Sequence, residues 1–421
     1  MSRATLEDLA PRHRAGAPVG ITSVCSAHPL VLRAALRHGA ETGATVLIEA
    51  TCNQVNHQGG YTGLRPADFA ALVRELAGRE GCPAGQIVLG GDHLGPNPWR
   101  DRPAEAAMAE AEEMVRAYVA AGFTKIHLDC SMGCAGEPAA LDDATTATRA
   151  ARLAACAEAA AGAEPPRYII GTEVPPPGGA DHTLTTVPPT DPDAARRTYE
   201  VHRETFAAQG LEAAFARVLG LVVQPGVEFG NANVIRYDRP AARPLVAALS
   251  DMPGLVYEAH STDYQGEAPL TELVADGFAI LKVGPELTFV LREALYGLDL
   301  IASDLVAGYG ERPLKAAMER LMLAEPADWQ RHYPGKPTER QVLRHYSLSD
   351  RIRYYWGRPE AKAAVERLFA ALAGQRVPLP LFWQHLPEAA AFADAPLDPE
   401  ALLIARVTRS LATYHAACHG N

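Results

Sequence analysis

Gln86-Ile87-Val88-Leu89-Gly90-Gly91-Asp92-His93-Leu94-Gly95-Pro96-Asn97 joins an apolar, strand-forming run to a polar tip. A buried strand ending in an acid beside an imidazole places a proton acceptor and a metal ligand at a rigid position, the place where parallel-barrel enzymes carry their chemistry. By itself an Asp-His dipeptide more often marks a loop with a hydrogen-bonded core histidine. Its weight here comes from recurrence of the same layout along the chain.

Working outward, short apolar runs alternate with segments of helical period. Val19–Cys25 and Thr45–Glu49 precede the stretch at Ile87–Leu89. Lys125–Asp129, Tyr168–Glu173, Leu219–Val223, Leu255–Glu258 and Ala279–Val283 follow it. Helical segments separate nearly all of them; one carries Phe69, Leu72, Val73 and Leu76 on a single face, and another carries Met108, Ala111, Val115 and Val119. Eight strands of this kind predict a parallel (β/α)8 TIM barrel over residues 1–301. From residue 302 the alternation stops, and residues 302–421 read as a helical C-terminal extension packed on the barrel. The runner-up is an open doubly wound sheet, which would carry a Gly-rich turn after its first strand. Thr22-Ser23-Val24-Cys25-Ser26-Ala27 has no glycine, which also weakens hydride transfer.

Composition agrees with a large globular core, with 48% hydrophobic and 21% charged residues. The net charge of -11 argues against nucleic-acid binding. Acidic residues interrupt the N-terminus where a secretory signal would be apolar, and no run is long enough to span a bilayer, so a soluble, cytoplasmic protein without membrane partners is expected. Seven scattered cysteines do not form a disulfide scaffold, and Cys130 and Cys134 lack a second pair that would complete a zinc site. Buried free thiols are expected.

In a parallel barrel all strand C-termini open at one mouth. Those ends collect Glu49, Asn53, Gln54, Asn56 and His57; Asp92 and His93; His127 and Asp129; Glu173; Gln224 and Glu228; Glu258, His260, Ser261 and Asp263; and Lys282. Gathering so many ionisable groups is costly unless a cation offsets them, and imidazoles with carboxylates suit zinc or manganese. His93 and His260 are the first candidates for metal ligands, with Glu173 as a carboxylate ligand. His127 and Asp129 share one strand face and read either as a structural hydrogen-bonded pair or as catalytic groups. The Val174–Gly179 Pro/Gly run after Glu173 reads as a lid hinge or a surface turn. Lys282 suits binding of an anion or a substrate oxygen. The segment Tyr346–Trp356, with two arginines and four aromatics, reads as a cover for the mouth, a subunit contact or a buried aromatic helix start.

The motifs Ser23–Leu30, Ile48–Asn56, Gly59-Gly60-Tyr61-Thr62-Gly63, Gly90–Asn97, Lys125–Asp129, Gly171–Pro175, Val223–Phe229, Glu258–Gln265 and Tyr346–Trp356 together resemble one family over essentially the whole chain. It contains the so-called non-catalytic subunit of tagatose-1,6-bisphosphate aldolase and the ketohexose and ketohexose-phosphate 4-epimerases. It is similar in fold to the class II, metal-dependent aldolases. The resemblance implies Asp92 as the proton-transfer residue, with Glu173 and Asp129 as further catalytic groups, and His93 and His260 as ligands of a divalent metal. Asn53, Gln54, His127, Ser261, Asp263 and Lys282 would bind substrate. The implied activity is interconversion of D-tagatose and D-fructose 6-phosphates, or of the free sugars. The alternative is an accessory subunit for a separate class II aldolase; a third reading is an aldolase in its own right. A ketohexose or its phosphate is the expected small-molecule partner, with a homo-oligomer expected and an aldolase catalytic subunit as the alternative protein partner.

Overall fold

A computed structural model describes residues 5–171 and 186–420. Eight parallel strands close into a barrel in sequence order: Ile21–Val24, Val46–Thr51, Ile87–Leu94, Lys125–Leu128, Arg167–Gly171, Val218–Val223, Val256–Ala259 and Phe278–Val283. The first strand pairs with the eighth through Ile21 opposite Ile280 and Ser23 opposite Lys282, which seals the ring. The (β/α)8 expectation and its strand count hold. A two-stranded antiparallel ribbon, Glu228–Phe229 with Val234–Ile235, rises from the loop after the sixth strand.

The interior is stratified because alternate residues of each strand face inward. At the N-terminal end Ile21, Leu47, Ile169, Val222, Val256 and Ile280 form an apolar layer, and Leu6 and Leu9 of the N-terminal segment pack into it as a plug. One step up each strand the inward positions become charged: Glu49, Lys125, Glu258 and Lys282, all buried. A further step brings Asp92, His127 and His260 to the mouth. The far larger apolar core lies outside the barrel, between strands and helices.

The third strand runs to Leu94, beyond the Leu89 end expected from sequence. Two glycines explain the extension. A Cβ on Gly90 would lie 2.7 Å from Cγ of Glu49, so the missing side chain makes room for that buried acid. A Cβ on Gly95 would lie 1.7 Å from the carbonyl oxygen of Asp129, so the ends of the third and fourth strands approach only because Gly95 is bare.

The extension beyond residue 302 is helical, and its last helix, Pro399–His419, belongs to the barrel wall. It packs against Pro29–Thr42, Glu267–Ala275 and Pro285–Leu305, filling the place between the helices that follow the first and seventh strands. Gly20 N donates to the Cys418 carbonyl at 2.9 Å, and Tyr414 Oη donates to the Thr262 carbonyl at 2.8 Å. Residue 301 falls inside the continuous helix Pro285–Leu305. None of the seven cysteines is in a disulfide; five are buried, and Cys25 and Cys156 are half-buried. Among the described residues no helix is long and apolar enough to cross a membrane.

Candidate active site at the barrel mouth

Asp92, His93, His127 and His260 arrive from the third, fourth and seventh strands and place one ligand atom each within 4.8 Å of one another. The three imidazole centroids lie 4.8, 4.9 and 5.5 Å apart. His93 and Ser261 both hold left-handed backbone, φ 50° and 52°. That conformation costs a residue bearing a Cβ, and it aims the His93 ring back into the mouth.

Each ring has a nitrogen tied to an acceptor. His93 Nδ1 lies 2.8 Å from Asp129 Oδ2, His127 Nε2 3.0 Å from the Gly171 carbonyl, and His260 Nε2 3.1 Å from Glu258 Oε1. Carbonyls and carboxylates accept, so those nitrogens carry the protons. The lone pairs then fall on Nε2 of His93 and Nδ1 of His260, whereas His127 faces a second acceptor, Asp92 Oδ1, 3.0 Å from its Nδ1. This is how a protein fixes the tautomer of a metal-binding histidine. Burial, then the Lys282 ammonium, pushes His260 down to about 3, so its imidazole is neutral.

Below the histidines lies a closed charge lattice. Lys125 Nζ bridges Glu49 Oε1 at 2.5 Å and Glu258 Oε2 at 2.7 Å. Lys282 Nζ contacts Asp92 Oδ1 and reaches Glu49 Oε2 at 3.3 Å. Burial alone would raise Asp92; the His93 imidazole and Lys282 outweigh it and hold that carboxyl well below its ordinary range. Asp129 is likewise lowered against burial, chiefly by the His93 hydrogen bond. Four carboxylates (Glu49, Asp92, Asp129, Glu258) face two ammonium groups and His127, whose pKa the Asp92 hydrogen bond raises against burial, so negative groups are in excess in this cluster. A buried excess of that sign, beside the oriented lone pairs of His93 and His260, fits a divalent cation of the zinc or manganese type.

The structure brings together Asp92, His93, His127, Asp129, His260 and Lys282. His127 and Asp129 do not bond each other: His127 Nδ1 lies 3.0 Å from Asp92 Oδ1, and Asp129 orients His93 and accepts from Ser131. Gln54 turns its Oε1 back to the Thr51 amide, and Asn53 is exposed in the same loop. Ser261 is buried next to His260. Glu173 and the Pro/Gly run after it lie outside the described residues.

Asp263 accepts from the Gly284 and Glu286 amides and so caps the helix after the eighth strand. Burial, then the Glu286 carboxylate, pushes its carboxyl up to about 7. A raised folded pKa stabilises the fold below the unfolded value near 4, and that contribution is lost as pH climbs through 7. Asp263→Asn keeps the cap's oxygen and removes the titration. Unfolding free energy by denaturant titration is therefore expected to fall less between pH 5 and pH 8 in the variant than in the parent, by a few kcal/mol. Equal slopes would refute the assignment.

Lys125 and the structural use of Glu49 and Glu258 escaped the sequence reading. The available signal was parity: Lys125, His127 and Asp129 share one face of the fourth strand, as do Glu258 and His260 on the seventh.

A closed parallel barrel with a histidine–carboxylate cluster at its strand ends defines a barrel enzyme of the kind that works on small molecules at its mouth. The chain belongs to the family described as D-tagatose-1,6-bisphosphate aldolase subunit GatZ/KbaZ-like, whose model matches residues 6–419. It is 61% identical over 417 residues to a protein of Agrobacterium fabrum named D-tagatose 6-phosphate 4-epimerase, covering 98% of each chain. A solved structure described as a probable tagatose 6 phosphate kinase from Sinorhizobium meliloti 1021 is 54% identical and superposes with a TM-score of 0.88, over 95% of this chain and 100% of that one.

Proposed function

We propose that this protein is a metal-dependent ketohexose 4-epimerase that interconverts D-tagatose 6-phosphate and D-fructose 6-phosphate. The observation that carries the reading is the convergence of Asp92 with His93, His127 and His260 at the mouth. The name of the Agrobacterium relative supports the substrate.

In a 2-ketose the C4 hydrogen is not acidified by the C2 carbonyl, so inversion by direct deprotonation is a poor route. Taking the C4 hydroxyl proton instead lets the C4–O bond become a carbonyl while C3–C4 breaks. The bonding pair then moves onto the C3–C2–O unit. If the aldehyde presents its other face before the bond re-forms, C4 is inverted and the proton returns to its oxygen. Asp92 is the residue placed to hold that proton, ionised and oriented by Lys282 and His127. His93 and His260 would hold the divalent ion, oriented by Asp129 and Glu258. When bound, such an ion polarises substrate oxygens where negative charge develops. Retaining both fragments requires a covered mouth.

The test is incubation of the purified protein with tagatose 6-phosphate and a divalent ion, following fructose 6-phosphate. Absence of turnover with any metal, on either phosphorylated or free ketose, would overturn the reading. ATP added in a parallel arm reads out phosphoryl transfer, as the Sinorhizobium description would require. The family's description as an aldolase subunit favours one second reading, an accessory role. Copurification with an aldolase, and rescue of that aldolase by a chain carrying Asp92→Asn and His93→Ala, would support it.

A further inference from the structure

The C-terminal extension returns to the mouth. Leu348 N donates to the Asn231 carbonyl at 2.9 Å, and the Ser347 and Ser349 hydroxyls donate to Asn231 Oδ1 at 2.8 and 3.0 Å. Tyr264 Oη donates to the Leu348 carbonyl at 2.7 Å. Asn231 and Tyr264 lie in the loops after the sixth and seventh strands. Further along the segment, the Tyr354 ring meets Tyr61 edge-on, centroids 5.0 Å apart, and Tyr61 lies in the loop after the second strand. The segment thus bridges loops from opposite stretches of the barrel rim.

Arg353 sits within this bridge, half-buried. Its Nη1 donates to the Ser349 and Asp350 carbonyls, and its Nη2 donates to the Tyr354 hydroxyl at 2.9 Å. The guanidinium carbon stands 4.5 Å above the Tyr354 ring. Asp350, the neighbouring acid, is paired with Arg292 at 2.9 Å. Among the described residues no carboxylate oxygen lies within 4 Å of Arg353, so its charge is held in place by carbonyls and a phenol without being neutralised. Three of its five N–H groups are engaged; Nε and one Nη2 hydrogen remain, the edge by which guanidinium grips a phosphate or carboxylate in bidentate fashion.

The cluster offers a phosphate no spare cation, since Lys125 and Lys282 are both paired with its carboxylates and the excess negative charge matches a divalent ion. A phosphorylated ketose therefore needs a cation elsewhere on the rim. We propose that Arg353, flanked by the Tyr61 and Tyr354 hydroxyls, receives the terminal phosphate of a ketose phosphate whose reacting carbons lie at the Asp92–His93–His260 cluster. The proposal rests on the epimerase reading and adds to it the element that selects the phosphorylated sugar.

The test compares full-length parent, Arg353→Met and Arg353→Lys with tagatose 6-phosphate and unphosphorylated D-tagatose. The expected result is a fall of about 10- to 100-fold in the ratio of kcat/KM for the phosphorylated sugar over the free one, carried by KM and partly restored by lysine. An unchanged ratio, whether activity on both sugars is kept or lost together, overturns the proposal. Calorimetric titration with fructose 6-phosphate and with fructose separates this from failure of the epimerase reading. If the parent turns over neither sugar, that reading falls, yet loss of the phosphate's contribution to affinity in Arg353→Met still supports the site, and equal affinities overturn it.

Discussion

Asp92→Asn is expected to lower kcat with tagatose 6-phosphate by about 10²- to 10⁴-fold, the range a positioned general base supplies. The amide has the same shape and keeps an oxygen toward Lys282 and the His127 ring, so the loss isolates proton transfer from packing. Lys282 retains Glu49 at 3.3 Å and Glu258 at 3.8 Å, which limits the damage to the lattice. A coupled assay for fructose 6-phosphate, with thermal melting to confirm the fold, checks the result. A variant retaining more than a tenth of the parental rate would remove Asp92 from the role.

The second large effect concerns the ion. Dialysis against a strong chelator is expected to abolish turnover, and zinc or manganese to restore it. His93→Ala and His260→Ala are each expected to leave the protein without stoichiometric metal after gel filtration, as read by elemental analysis. Asp129→Asn touches no ion, but it weakens the acceptor that fixes the His93 tautomer, and should reduce metal affinity by about 10- to 100-fold. Metal content equal in all three variants and the parent would detach the histidine cluster from metal binding, whatever the activities.

Much of this molecule is readable from its residues. The eight strands announce themselves because Val, Ile and Leu runs that are buried on both faces leave little room for another interpretation. Strand ends are harder. Gly90 and Gly91 lie beyond the expected strand end at Leu89, in the polar tip, yet they continue the third strand, because small residues there accommodate Glu49 on one face and Leu94 and Tyr118 on the other. The chemistry of Asp92, His93 and His260 follows from their positions at strand ends, whereas the company they keep does not. Lys125 opens the expected fourth strand with no role attached, and closure of the barrel seals it between two glutamates. Asp263 shares its neighbourhood with site residues but spends its oxygen on two helix amides, a choice fixed by where the next helix begins. Arg353 depends on a segment more than a hundred residues away from Asn231 in sequence folding back onto it, which local patterns do not encode.

The place of the Pro399–His419 helix in the barrel wall has a consequence for biosynthesis. The eighth strand can pair with the first once residue 283 has emerged from the ribosome, but the groove between Pro29–Thr42 and Glu267–Ala275 stays bare until the helix Pro399–His419 has emerged as well. Throughout the translation of more than a hundred further codons the nascent chain displays an apolar furrow, a surface that chaperones recognise and that invites self-association. A ribosome stalled late in the message would carry a nearly complete barrel with an unfinished wall.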